Sequence, residues 1–172
     1  MNTVEETIEI GVPVRTAYDQ WTQFECFPRF MTTVKRVEQL RPAVTRWVVG
    51  LGPLRWEFAT EIVDQVPDSH LTWRSLGQRH GHRGEVTFRP VEQERTSVTV
   101  RLSATGRGLT GVLTAVPGAP GRLLRHELGR FKAYIEGHGE ASGAWRGTIR
   151  GGQVRPGEPE PPRSRVAVWP VG

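Results

Sequence analysis

Cysteine is nearly absent from this 172-residue chain: Cys26 is the only one. A lone thiol excludes an internal disulfide, fits a reducing compartment and leaves packing and hydrogen bonds to hold the fold. Long hydrophobic runs are missing too. Nothing approaches the roughly 18 consecutive apolar residues of a membrane helix. The opening residues, MNTVEETIEIG, lack the charged-then-apolar pattern of a secretion signal. No glycine-rich phosphate loop or catalytic-serine motif occurs. One His-x-His pair exists, His80 and His82, but no carboxylate or cysteine sits beside it to complete a metal site, so solvated loop histidines are the better reading. These absences leave a soluble, cytoplasmic chain of one main domain, with no cofactor implied.

The net charge of +5 raises the question of a nucleic-acid partner, and its location answers it. Residues 141–172 carry Arg146, Arg150, Arg155, Arg163 and Arg165 against Glu158 and Glu160, a surplus of +3. The preceding 140 residues carry only +2. A basic tail is not a basic domain face, so no specific nucleic acid is expected. From Ala141 the composition turns to Gly, Pro, Arg and Glu without periodicity, which predicts a disordered tail over 141–172 following a domain over 1–140.

Within the domain, period-two alternation dominates. Thr3–Gly11 reads as a half-buried strand, followed by a short helix over Arg15–Thr22 with Pro13 at its start, where a missing N–H costs little. The aromatic segment Phe24–Met31, broken by Pro28, fits a second short helix or turn. Six alternating runs follow: Thr33–Leu40, Thr45–Leu51, Arg55–Val66, Leu71–Leu76, Glu85–Pro90 and Thr96–Ala104. Their connections are too short for parallel crossovers, so neighbours are antiparallel. Glycines and prolines interrupt the apolar stretch Gly106–Gly121, which reads as a mobile flap at a portal or as a tolerated insertion. The helix comes last, over Arg122–Glu136. Leu124, Leu128, Phe131 and Ile135 recur along one face, and Gly137 and Gly139 supply the stop.

Alternation also assigns the faces. Trp47, Val49, Phe58, Thr60, Ile62, Trp73, Ser75, Val86, Phe88 and Val100 fall on one side of the sheet. Arg46, Glu57, Glu61, Asp64, Arg74, Glu85, Arg89 and Arg101 fall on the other, in water. The inner face is broader than one helical stripe covers, which is the hint of a cavity. Its expected wall is those ten inward residues with Leu124, Leu128 and Phe131 from the helix. No inward position is ionisable, so no catalytic residue is assigned. Tyr18, Trp21, Phe24, Phe27 and Phe30 serve as core or as cavity end, with core favoured, and Cys26 reads as a buried structural thiol.

One strand, two short helices, six antiparallel strands and a long helix is the element order of the helix-grip fold. The run Ile8–Val14, Ala17-Tyr18-Asp19-Gln20-Trp21 and Phe24–Met31, ending Phe27-Pro28-Arg29-Phe30-Met31, resembles the SRPBCC or START-like superfamily, specifically its polyketide cyclase/dehydrase and coenzyme Q-binding branch. Val66-Pro67-Asp68 before Leu71–Ser75, Gly84–Pro90 and Leu128–Glu136 continue the likeness. Pro117-Gly118-Ala119-Pro120 departs from it by interrupting the approach to the helix. The resemblance implies an α+β helix-grip fold: a seven-stranded curved antiparallel sheet around a long C-terminal helix, with two short helices after strand 1. It also implies binding of a hydrophobic small molecule (lipid, quinone or polyketide-like) between sheet and helix. Three functions stay open: non-enzymatic binding or transport, polyketide cyclase/aromatase chemistry in the same cavity, and a ribosome- or protein-associated module acting through the basic tail.

Overall fold

The computed structural model describes residues 2–77, 81–104 and 119–155. Its strands are β1 (Asn2–Ile10), β2 (Val34–Arg41), β3 (Val44–Leu51), β4 (Leu54–Val66), β5 (His70–Leu76), β6 (His82–Glu92) and β7 (Arg95–Ala104), with β8 (Thr148–Arg150) and β9 (Gln153–Arg155) after the long helix. Helix α1 (Val14–Trp21) and a 3-10 helix over Phe24–Arg29 lie between β1 and β2, and α2 (Ala119–His138) precedes β8. The main strands run antiparallel in the order β1-β7-β6-β5-β4-β3-β2. The α+β architecture is therefore as expected, but the sheet has nine strands rather than seven.

Turn chemistry explains the meander. Gly52 sits at φ +58° between β3 and β4, a conformation that glycine reaches without a Cβ clash, and Asp68 takes φ +62° between β4 and β5. At the end of α2, Gly139 adopts φ +75° and its N–H donates to the Ile135 carbonyl. That left-handed cap closes the helix, and Gly137 is simply carried within it.

The helix lies along β1. Arg125 forks onto the Glu6 carboxylate, Lys132 donates to the Glu9 carbonyl, and the Glu136 carboxylate accepts from the Gly11 N–H at 2.6 Å. Its C-terminal half packs solidly: Leu128, Phe131 and Ile135 are fully buried. Aromatic side chains of α1 and the 3-10 helix fill the space beneath. Trp21 meets Phe131 edge-on at 5.2 Å, Phe27 meets Trp21 at 5.3 Å, and Phe30 meets Tyr134 at 4.8 Å. Edge contacts of this kind add about 0.5–1.5 kcal/mol each beyond area burial.

The expectation of a disordered tail from Ala141 fails for residues 141–155. Strand β4 outruns its neighbour: β3 begins at Val44, opposite Glu61, and leaves the last turn of β4 with an open edge. Strand β8 pairs there at Asp64 and Gln65, Ile149 is completely buried, and Gly152 donates to the Val63 carbonyl. An unpaired edge is a liability, and this hairpin covers it. Ahead of β8, Ser142 and Gln20 exchange two hydrogen bonds, and Trp145 donates its N–H to Thr22. The side chain of Arg146, 7% exposed, bridges Asp19 and Asp68 and lies over the Tyr18 ring. Composition missed this because one buried arginine and one isoleucine hold a segment that is otherwise polar. Residues 156–172, the rest of the expected tail, lie outside the described residues, as do 105–118, most of the expected flap.

Arg146 is the charge to remove. Arg146→Met takes the bridging cation from Asp19 and Asp68, leaving Asp19 only Arg15 at 3.8 Å, and should destabilise the fold by about 3 kcal/mol. Arg101→Met, on the exposed pair with Glu5, should cost no more than ~0.5 kcal/mol. Urea-denaturation midpoints of the two variants check the contrast, and equal small shifts would show that the clasp carries no load.

Candidate functional site

Because the aromatic cluster fills only one end of the space under α2, the other end is hollow. A cavity of about 300 Å³ lies between the N-terminal half of α2, at Pro120, Leu123, Leu124 and Glu127, and the concave face of the sheet. A water molecule claims ~30 Å³ of liquid, so this is far more than a packing defect. It sits at the low end of the ~300–1,000 Å³ typical of small-molecule sites.

Eight of the thirteen expected wall residues line it: Trp47, Val49, Phe58, Thr60, Ile62, Trp73, Val100 and Leu124. The other five do not, for physical reasons. Val86 and Phe88 lie in the half of β6 covered by α1, where Phe88 meets Tyr18 and Trp21 edge-on. Leu128 and Phe131 belong to the packed half of α2. Ser75 directs its hydroxyl to the His82 backbone N–H at 2.9 Å.

Further wall residues escaped the sequence reading. Trp56 shares the parity of Phe58 and was legible in the alternation. Trp21, Phe24 and Phe27 serve both expected roles at once, buried in the aromatic cluster and presenting atoms to the cavity. Tyr18 and Phe30 are core alone. Cys26 is half-buried rather than buried, 3.6 Å from the Ser142 hydroxyl.

The claim that no inward position is ionisable is overturned twice. Glu127 follows Leu124 by three residues, on the helix's inner stripe, and is 4% exposed. Its carboxylate accepts four hydrogen bonds, from the N–H and hydroxyl of both Thr32 and Thr33. Those four donors tie the loop before β2 to α2 and fill the carboxylate's acceptor capacity. His82 is not a solvated loop histidine: β6 begins there, two positions earlier in parity than Gly84, and its ring stands edge-on to Phe58 at 4.7 Å. Burial pushes its pKa below the ordinary value, so the ring is neutral at physiological pH. His80 lies outside the described residues, among which no cluster of three His, Cys, Asp or Glu side chains could hold a metal ion.

Trp73 owes its position to a glycine. A Cβ on Gly84, its cross-strand partner, would fall 2.2 Å from the indole ring. The tryptophan therefore lies flat across β6, and Gly84 supplies the room.

The same architecture recurs elsewhere. Residues 10–133 match the family described as polyketide cyclase/dehydrase and lipid transport. An uncharacterized 17.2 kDa protein of Streptomyces lincolnensis is 40% identical over 149 residues, 87% of this chain and 99% of that one. This chain belongs to the polyketide cyclase/dehydrase and lipid transport family. A START superfamily protein of Mycobacterium smegmatis shares the fold at 17% identity, with a TM-score of 0.67 over 79% of this chain and 98% of that one. Among solved structures, a Deinococcus radiodurans protein is 30% identical with a TM-score of 0.64, the match covering 80% of this chain and 99% of that one. The ZhuI aromatase/cyclase of Streptomyces sp. R1128 shares the fold at 15% identity, with a TM-score of 0.62 over 84% of this chain and 99% of its own. Among the described residues, no helix is long and apolar enough to cross a membrane.

Two outcomes test the wall. Gly84→Ala should displace the Trp73 indole, change the near-ultraviolet circular dichroism and cost about 1–3 kcal/mol; an unaltered spectrum would contradict the close packing. For His82, the folded-state pKa lies below the unfolded one, so the unfolded chain binds the proton first as pH falls. The resulting loss of stability is absent above about pH 7.5 and grows as pH drops through about 6.5 toward the folded value. Urea midpoints of wild type and His82→Phe should thus diverge on acidification, the wild type falling faster, whereas parallel curves would place the imidazole in water.

Proposed function

We propose that the protein binds and carries a hydrophobic small molecule in the cavity beneath the N-terminal half of α2, without transforming it. One observation carries this reading: a hollow of about 300 Å³ whose wall is almost wholly aromatic and aliphatic, inside a domain that otherwise packs solidly. Apolar surface buried at about 25 cal/mol per Å² supplies affinity without directional contacts. A lipid tail, a quinone ring or a polyketide-like aromatic all meet that description, and the cavity volume favours the smaller among them.

A cyclase/aromatase reading has one observation of its own. His82 brings a neutral imidazole to the cavity, the kind of group that moves a proton in aldol closure and dehydration. Glu127 offers no second catalytic partner, because its oxygens already hold four donors. The family description includes both activities, so the two readings differ in what becomes of the guest. The interaction-module reading loses part of its basis, since Arg146 of the supposed basic tail is buried between two carboxylates.

Native mass spectrometry of protein purified without detergent should show a non-covalent adduct that organic extraction removes and returns chemically unchanged. Recovery of a dehydrated, cyclised product from an added linear precursor would instead establish the enzyme. Trp73→Ala should weaken binding of N-phenyl-1-naphthylamine about tenfold, the equivalent of roughly 1.4 kcal/mol of lost contact. Unchanged affinity in a folded variant would remove Trp73 from the binding wall.

A further inference from the structure

Apart from Thr3, Thr33 and Glu127, the polar side chains of the cavity wall, Thr45, Thr60 and His82, fall on one line across the sheet that Ser75 completes. Strand register places Thr45 opposite Thr60 and Thr60 opposite Ser75, and the Ser75 hydroxyl accepts from the His82 N–H. Cross-strand partners share a face, so these four residues form a single polar row running across β3, β4, β5 and β6. The rows beside it, Trp47 with Phe58 and Ile62 with Trp73 and Gly84, carry no charge and no hydroxyl.

The Trp47 indole N–H donates to the Thr45 hydroxyl at 2.8 Å, and the Thr45 and Thr60 oxygens lie 2.8 Å apart. Trp47 is donor only, so Thr45 accepts there, and either hydroxyl can donate to the other across the Thr45–Thr60 pair. One bond uses one of the pair's two protons, so one O–H of these two buried threonines has no acceptor among the described residues. At the other end, no described residue hydrogen-bonds the ring nitrogens of His82; its side chain meets Phe58, two positions along β4 from Thr60. The remaining hydroxyl and carboxyl groups of the wall are engaged: Thr33 with Glu127, Glu127 with four donors, and Thr3 with Ser103.

Resting on the binding reading above, we propose that Thr60 and His82 form a polar seat for a single oxygen-bearing end (a phenol, alcohol or carbonyl) of an otherwise apolar guest. Thr60 donates to that oxygen. The neutral imidazole presents one acceptor and one donor, so it takes a hydroxyl proton or supports a carbonyl. A guest lacking such an oxygen leaves the seat unused, and a guest with an anionic headgroup finds no countercharge among the described wall residues. The seat therefore selects one class, apolar molecules with a lone hydroxyl or carbonyl, and orients them end-on.

The test uses two probes of nearly the same shape, 2-naphthol and 2-methylnaphthalene, with equilibrium dialysis at pH 7.5 on the full chain. His82→Phe should weaken 2-naphthol about tenfold and leave 2-methylnaphthalene within about twofold, because only the hydroxyl loses its partner. His82→Gln, which keeps a donor and an acceptor, should restore most of the 2-naphthol affinity. Thr60→Val, an independent and nearly isosteric change, should show the same selective loss. Wild-type affinities that shift equally for both probes, or a 2-naphthol affinity insensitive to both substitutions, would overturn the seat while leaving the cavity in place. Failure of wild type to bind either probe would overturn the cavity reading and the seat together.

Discussion

The wedge of aromatic side chains between α1, the 3-10 helix and the C-terminal half of α2 is the contact on which the rest of the structure depends. Trp21 and Phe30 meet Phe131, Phe30 also meets Tyr134, and Phe27 packs between Trp21 and Phe30; this cluster props the helix away from the sheet at one end. A helix held at one end by bulky rings cannot settle onto a curved sheet at the other. The hollow under Leu123, Leu124 and Glu127 follows from that geometry rather than from a lack of apolar residues. Glu127 fixes the boundary, because its four hydrogen bonds to Thr32 and Thr33 tie the helix to the loop entering β2 where packed core gives way to cavity.

A second constraint acts on the opposite side of the aromatic wedge. Strand β4 bulges between Ile62 and Asp64, which resets its parity and turns Gln65 inward to the Tyr18 hydroxyl. The same stretch exposes the edge that β8 covers, and the chain returning to β8 delivers Arg146 between Asp19 and Asp68. Residues 141–155, beyond the matched family region, thus secure α1 against β4. Helix α1 carries Trp21, so the clasp steadies the wedge and, through it, the cavity.

How far the sequence discloses all this depends on the range of the interaction. Strand alternation is local, and each of the seven main strands was legible within a residue or two except β6, whose true start at His82 lies three residues before the expected one. That short error moved His82 from cavity wall to solvated loop. The helix stripe was legible as a face, but Leu124 and Phe131 look alike in it; which half packs is decided by Trp21 and Phe30, a hundred residues earlier. Arg146 was illegible for the same reason. Its partners Asp19 and Asp68 are distant in the chain, and nothing local separates a buried bridging arginine from its solvated neighbours in the tail.

The cavity is costly to the fold that contains it. Unfilled volume sealed in an apolar core forfeits about 24 cal/mol per Å³, so a hollow of about 300 Å³ would forgo several kcal/mol at most, the full amount applying to a closed and dry cavity. That is a large share of the ~5–15 kcal/mol by which domains are stable. Larger aliphatic side chains at Thr45 or Thr60 would recover some of it, yet the concave face keeps hydroxyl residues there. The hydroxyls of that line are paired with one another or with Trp47 and the His82 N–H, while the imidazole at its end has no hydrogen-bond partner among the described residues. The arrangement becomes favourable only when a molecule with a complementary oxygen occupies the hollow, which makes the guest, rather than the side chains, the part that completes this core.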